Sequence, residues 1–136
     1  MKKEDLKKFI KPYQKHVQKG LPGIDSNGKL VTEQSQWAFF DRATIEKLLQ
    51  MTDTKTGGIK IYFGQYDREN IYLIPEDRED REQYIGRISV ALSAANREAE
   101  GIYDVFLSFD STKSGGDSIE NGGNLCPPFC RPPITL

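Results

Sequence analysis

Near the start of the chain Leu6, Phe9, Ile10, Tyr13 and Val17 recur at helical spacing, with lysines filling the opposite face. Pro12 falls inside this pattern, so the helix is expected to kink there or to begin at about that residue. "GLPGIDSNGKLV" follows as a stretch of turn-formers, with Asn27-Gly28 read as a tight turn. The rhythm then changes. Trp37, Phe39 and Phe40 make a short aromatic, strand-like approach, and Asp41 is placed to cap a helix. In that helix Ile45, Leu48 and Leu49 are expected to face the core, with Thr52 to Gly58 as its exit loop.

Ile59, Ile61 and Phe63 alternate against Lys60 and Tyr62, and Ile71 to Ile74 forms a second β-rich run. With "GQYDREN" between them, the pattern predicts a hairpin that buries Ile61, Phe63 and either Ile71 or Leu73 in adjacent strands. "EDREDRE" (76–82) reads as a solvated connection, because adjacent like charges diverge into water. Residues 84–100 fit two periods. Tyr84, Ile88, Ala91, Ala95 and Ala99 suit a helix, whereas Ile88, Val90 and Leu92 alternate like a strand. Residues 102–109 predict a strand, and Ser111 to Asn124 a mobile Gly/Ser-rich loop.

At 136 residues the chain is read as a single domain, 1–136, able to bury an ordinary core. Within it, 1–20 is the basic amphipathic helix and 111–136 is a Gly/Ser-rich, then Pro/Cys-rich tail. The predicted fold class is α+β: a small, mainly antiparallel sheet with one or two packed helices and an extended proline-rich C-terminal tail. No apolar run approaches the roughly 20 residues of a bilayer span, and the charged N-terminus lacks the form of a signal peptide. A cytoplasmic protein is expected. Residues 1–20 hold seven lysines against Glu4 and Asp5, on a chain whose formal net charge is −1. That segment contains no arginine, which argues against nucleic acid, and its apolar stripe suits docking onto a core better than lying on a membrane.

Enzyme chemistry is poorly supported. His16 is the only histidine and lies on the lysine-rich segment, so no Ser-His-Asp or Cys-His arrangement is suggested. "TGGIK" lacks phosphate-loop spacing and enters a strand instead of a helix. Twenty acidic residues always permit a carboxylate pair, but nothing singles one out. "DSNGKL" resembles the middle of a calcium-binding EF-hand loop. Aligning Gly28 with that loop's glycine leaves Gly23 and Gln34 where carboxylates belong, and calcium binding is rejected. No cofactor is implied.

The order "WAFFDRATIEKLL", "GIKIYFGQYD", "IYLIP" and "LCPPFC" resembles an uncharacterised family of small bacterial proteins with an aromatic–helix–strand core and a C-terminal Cys-Pro-Pro-x-Cys. The matching pieces cover roughly a third of the chain. The resemblance implies a small α+β domain to which the tail belongs, and it carries no activity, ligand or catalytic residue.

Three readings compete for Cys126 and Cys130. As metal ligands they supply two thiols where structural zinc takes four ligands; a dimer could share one ion. The Cys-x-x-x-Cys spacing also looks like the copper motif of cytochrome oxidase assembly chaperones, a match to spacing alone. As a disulfide, the pair needs a chain reversal. Polyproline II geometry spans about 12 Å over four residues, whereas a disulfide needs Cα atoms within roughly 7 Å. A cis Pro128 is the simplest such reversal, and a reducing cytoplasm opposes the bond. In the third reading, which is preferred, both thiols are reduced and the tail packs on the sheet. Pro127 and Pro128 stiffen it there and Phe129 anchors it. The function expected is a non-enzymatic interaction or accessory module with a protein partner, the alternative being a metal- or redox-active Cys126/Cys130 pair.

Overall fold

The computed structural model describes residues 1–107 and 118–131. Its elements are α1 (Lys3–His16), β1 (Trp37–Phe39), α2 (Arg42–Gln50), β2 (Gly57–Gln65), β3 (Ile88–Glu98), β4 (Gly101–Asp104), β5 (Ile119–Glu120) and β6 (Asn124–Cys126). Short 3-10 turns occupy Ile71–Leu73, Arg81–Tyr84 and Val105–Leu107. This is an α+β fold with two helices and an open antiparallel sheet. Ser108 and Phe109 of the predicted strand, 111–117 of the predicted mobile loop and 132–136 of the tail lie outside the described residues. The chain divides into two compact units.

The first unit comprises residues 1–39 and 65–89 with the tail from Asn124 onward. Helix α1 is continuous through Pro12, with Glu4 and Asp5 in its first turn and Lys15 and His16 in its last, as the helix dipole favours. None of its residues is buried, and Phe9 is 72% exposed, so the expected docking stripe is covered only toward its end. There Ile10, Tyr13 and Val17 are half-buried, and the Tyr13 hydroxyl donates to the Ser35 carbonyl. Burial holds the Tyr13 pKa above the ordinary phenol value.

Fully buried Gln34 ties this unit together. Its amide donates to the Gly86 carbonyl at 2.8 Å and accepts from Ile88 N at 2.7 Å, while its backbone N donates to Gln18 O at 2.7 Å. Gly86 has φ +88°, and a Cβ there would lie 2.7 Å from Ile24 O, so only glycine fits. The Asn27-Gly28 turn is present, with Gly28 at φ +78°. The Asp25 carboxylate serves that turn, accepting from the backbone N of Asn27 and of Lys29 at 2.9 Å each.

The hairpin expected from Ile71–Ile74 is overturned: Ile71–Leu73 is a 3-10 turn, and β2 pairs with β3 instead. Asp67 is the cause. Its carboxylate accepts from Glu69 N and Asn70 N at 2.9 Å each, and the Asn70 side chain donates back to Gln65 O at 2.9 Å. This side-chain capping closes the loop into a tight turn and denies the next run a strand partner. Arg81, from the acidic stretch, then donates to the carbonyls of Ile74 and Ile71 at 2.9 and 3.0 Å. Ile74, Tyr84, Tyr66 and Leu125 form the core here, with Ala38 and Ile71 against them.

The second unit comprises residues 40–64 and 90–123, the latter where described. Asp41 caps α2 as expected, accepting from Thr44 N at 2.9 Å. Of the three α2 residues expected to face the core, only Leu48 is buried. Strand order is β2-β3-β4, with β5 also on β3. Within the ambiguous stretch 84–100, Ile88–Glu98 is strand, and Tyr84 ends a 3-10 turn. Leu92 and Ala94 pack with Leu48, Phe40, Met51, Ile59 and Val105, while Ser93 and Ala95 are buried on the opposite face. The burial predicted for Ile61 and Phe63 does not occur: they are 52% and 87% exposed.

Candidate functional site

Strand β1 pairs antiparallel with β6 in the register Trp37↔Cys126, Ala38↔Leu125, Phe39↔Asn124. Residues directly opposite across a ladder share a face, and successive residues alternate. Ala38 and Leu125 accordingly join the core, and Trp37, Phe39, Asn124 and Cys126 share the other face.

The tail folds over that second face. Cys126 and Cys130 are joined in a disulfide with Cα atoms 4.8 Å apart, which overturns the expectation of two reduced thiols. The reversal that the bond requires is made in a segment where the Cys126–Pro127 and Pro127–Pro128 peptides are both cis. Backbone bonds complete the knot: Phe129 N donates to Leu125 O at 2.7 Å and Cys130 N to Pro128 O at 3.1 Å. The side chains that this segment buries fully are Leu125 and Cys126. Phe129 is 41% exposed, with Pro127 and Pro128 half-buried. As bonded, neither sulfur is a thiolate, so a metal at Cys126 and Cys130 would first require their reduction. Among the described residues no group of three or more His, Cys, Asp or Glu side chains could hold a metal ion, and His16 is exposed on α1.

The disulfide loop and the strand pair enclose an open cleft of about 500 Å³, lined by Trp37, Ala38, Phe39, Asn124, Phe129 and Arg131. Phe39 is 58% exposed, an aromatic ring standing in water beside two others. Arg131 is exposed, and among the described residues no carboxylate forms an ion pair with it. The cleft thus offers flat apolar walls, one amide and one guanidinium. Of these residues only Phe129 is a site candidate from sequence, and as an anchor; Trp37 and Phe39 are read there only as an aromatic strand. The cleft roles of Trp37, Phe39, Asn124 and Arg131 were missed because the site joins segments some ninety positions apart, which no local period reveals.

The second unit holds a polar cluster of a different kind. Lys60 and Tyr62 on β2 reach over the small residues of β3 to Asp104 on β4. Lys60 Nζ pairs with Asp104 Oδ1 and donates to Ile102 O at 3.0 Å. Asp104 Oδ2 accepts from the Tyr62 hydroxyl at 2.5 Å and from Ser93 Oγ at 3.2 Å. Burial pushes the Asp104 carboxyl up, but the bonds from Lys60, Tyr62 and Ser93 outweigh it and hold the pKa below the ordinary carboxylate value. The hydrogen bond to Asp104 raises Lys60, and the same partner raises Tyr62. Each group is thereby fixed in the charge state it already prefers. This is a lock between strands, with neither a free amine nor a proton-accepting carboxylate to react.

No known protein family, curated protein or solved structure matches this chain. Among the described residues no helix is long and apolar enough to cross a membrane.

Proposed function

We propose that this protein is a non-enzymatic interaction module whose cleft takes a short acidic, aromatic-containing segment of a partner protein. The observation that carries this reading is the convergence of Trp37, Phe39 and Phe129 on one cleft rimmed by Arg131. Aromatic rings supply large contact area at little entropic cost, which is why Trp, Tyr and Arg dominate binding hot spots. The Asn124 amide suits a peptide backbone, and the Arg131 guanidinium suits a carboxylate through paired N–H donors. The disulfide supports the reading too, because holding Phe129 in place beforehand lowers the cost of binding.

Trp37 is the only tryptophan, so its emission reports the cleft directly. Titration with short synthetic peptides that combine an aromatic residue with aspartate should change that emission saturably. Replacing the aspartate with asparagine should weaken the effect. Phe39→Ala or Phe129→Ala should reduce affinity by about 30-fold, as loss of about 2 kcal/mol at a hot spot does. Emission that no peptide alters, or binding that survives both truncations, would remove the cleft from consideration.

A redox role for the Cys126/Cys130 pair is a second reading, favoured by one asymmetry: Cys126 is fully buried and Cys130 only half-buried. An external thiolate attacking the Cys130 sulfur would form a mixed disulfide and release Cys126 as the leaving thiolate. Trapping that mixed disulfide with a thiol reagent tests this reading, and inertness toward excess thiol in the native state counts against it.

A further inference from the structure

Strand β2 is Gly57-Gly58-Ile59-Lys60-Ile61-Tyr62-Phe63-Gly64-Gln65, and among the described residues it lies at the end of the strand order. An edge strand presents unpaired backbone groups, and proteins ordinarily blunt such edges with charge, proline or a bulge. β2 has no proline. Its one charged residue, Lys60, is turned across the sheet to Asp104 instead of guarding the edge. Ile59 packs toward Leu48 in the core cluster, and by alternation Ile61 and Phe63 share its face. Both stay exposed, Phe63 almost completely.

The order of residues in β2 is self-complementary. Ile61 is its central residue, so antiparallel pairing with a second β2 sets Ile61 opposite itself and Ile59 opposite Phe63. It also sets Lys60 opposite Tyr62 and Gly58 opposite Gly64. Like charges are never apposed. Lys60 instead meets an aromatic ring, a contact it already makes within the chain, with Nζ 5.7 Å from the Tyr62 centroid. Slipping by one residue would send each apolar side chain to the other face; slipping by two keeps the faces but either sets Lys60 against Lys60 or moves Lys60 off Tyr62 to Gly64, so the centred register is favoured.

We propose that β2 pairs antiparallel with β2 of a second copy of this chain about a two-fold axis at Ile61. The arrangement continues the sheet across the pair and seats the partner's Phe63 against Ile59, beside the core cluster. Such an isologous contact closes on itself, using up the edge that would otherwise invite open-ended assembly. It lies in the second unit and is independent of the peptide reading of the cleft.

The full-length protein with its disulfide intact tests this by light scattering coupled to size exclusion, from about 1 μM to about 1 mM. Twice the 15.4 kDa chain mass is expected, and Phe63→Lys should return the mass to that of one chain with an unchanged circular dichroism spectrum. Register is tested separately. Ile61→Cys should be cross-linked to a dimer by a short bis-maleimide, whereas Ile59→Cys alone should not. A single-chain mass throughout the range, a dimer that persists in Phe63→Lys, open-ended aggregates, or equal cross-linking at both positions would each overturn the proposal.

Discussion

Leu125→Ala is the sharpest perturbation of the unit that carries the cleft. Leu125 is fully buried against Tyr66, Ile74 and Tyr84, and opposite Ala38 it ties the tail to β1. The substitution deletes about three carbons, worth roughly 2.4 kcal/mol at about 0.8 kcal/mol per buried group. The cavity left between two tyrosines and an isoleucine adds to this, giving an expected loss of about 3–4 kcal/mol. Backbone bonds of residue 125, from Phe129 N at 2.7 Å and to the Tyr84 hydroxyl at 3.4 Å, remain available to alanine. The loss is therefore one of packing. Urea unfolding followed by Trp37 emission reads the same unit, and the midpoint should fall by about 1.5–2 M for an m-value near 2 kcal/mol/M. Ile61→Ala is the matched control. That side chain is half exposed, so removing it from one chain at dilute concentration should cost less than about 1 kcal/mol. If Leu125→Ala costs under about 1 kcal/mol, or Ile61→Ala costs as much as it does, the assignment of inward and outward faces is refuted.

Three further outcomes are expected. Gly86→Ala should destabilise well beyond Gly28→Ala in thermal melts, because both have positive φ but only at Gly86 would a Cβ meet backbone; equal effects would contradict this. The Asp104 pKa is depressed in the fold, so its stabilisation is full above the ordinary carboxylate range and is lost as pH falls through the folded value. Lys60 is raised, so its share is present below the ordinary lysine range and fades as pH climbs past it. Asp104→Asn should thus lower the melting temperature at neutral pH, with the gap from wild type narrowing toward strong acid, and a gap independent of pH would show that charge is not what Asp104 contributes. Reducing the Cys126–Cys130 bond opens a loop of sequence separation 4 and should cost about 2 kcal/mol, with a shift in Trp37 emission; unchanged stability and emission would mean that the bond does not hold the cleft.

Local chemistry was legible where it was self-contained. Asp41 three residues before Thr44 is a capping geometry complete within one turn, and Asn27-Gly28 is likewise complete. Residues 84–100 were undecidable by period for a physical reason. β3 is covered on both faces, and four of its five buried residues (Leu92, Ser93, Ala94, Ala95) are consecutive, Ser89 being the fifth. Small residues on the Ser93 face leave room for Lys60 and Tyr62 to cross to Asp104, a demand set by the neighbouring strands. The hairpin was misread because alternation at Ile59, Ile61 and Phe63 reports a strand without naming its partner. The deciding groups were the Asp67 carboxylate and the Asn70 amide, which close the intervening loop into a tight turn that leads directly into the 3-10 turn at Ile71–Leu73.

The cleft carried one signal that only pairing could expose. In a half-buried strand the large apolar residues ordinarily face inward and the small or polar ones outward. β1 reverses this: Ala38 packs on the core while Trp37 and Phe39 share the outer face with Asn124. Alternation in Trp-Ala-Phe is visible in the sequence, but its direction is set by Leu125, a residue far along the chain. Once Leu125 takes the inner side, Cys126 must take the outer one, and the disulfide draws Cys130 back over the same face. Phe129 arrives there as a consequence of that closure. The pair of cysteines thus acts through geometry, turning a proline-rich end that would extend about 12 Å into a wall beside the half-buried Trp37 and the exposed Phe39. Keeping Phe39 in water and Trp37 only half-buried while Ala38 takes the core side lowers stability relative to the reversed arrangement, and a binding surface is the kind of demand that offsets this loss.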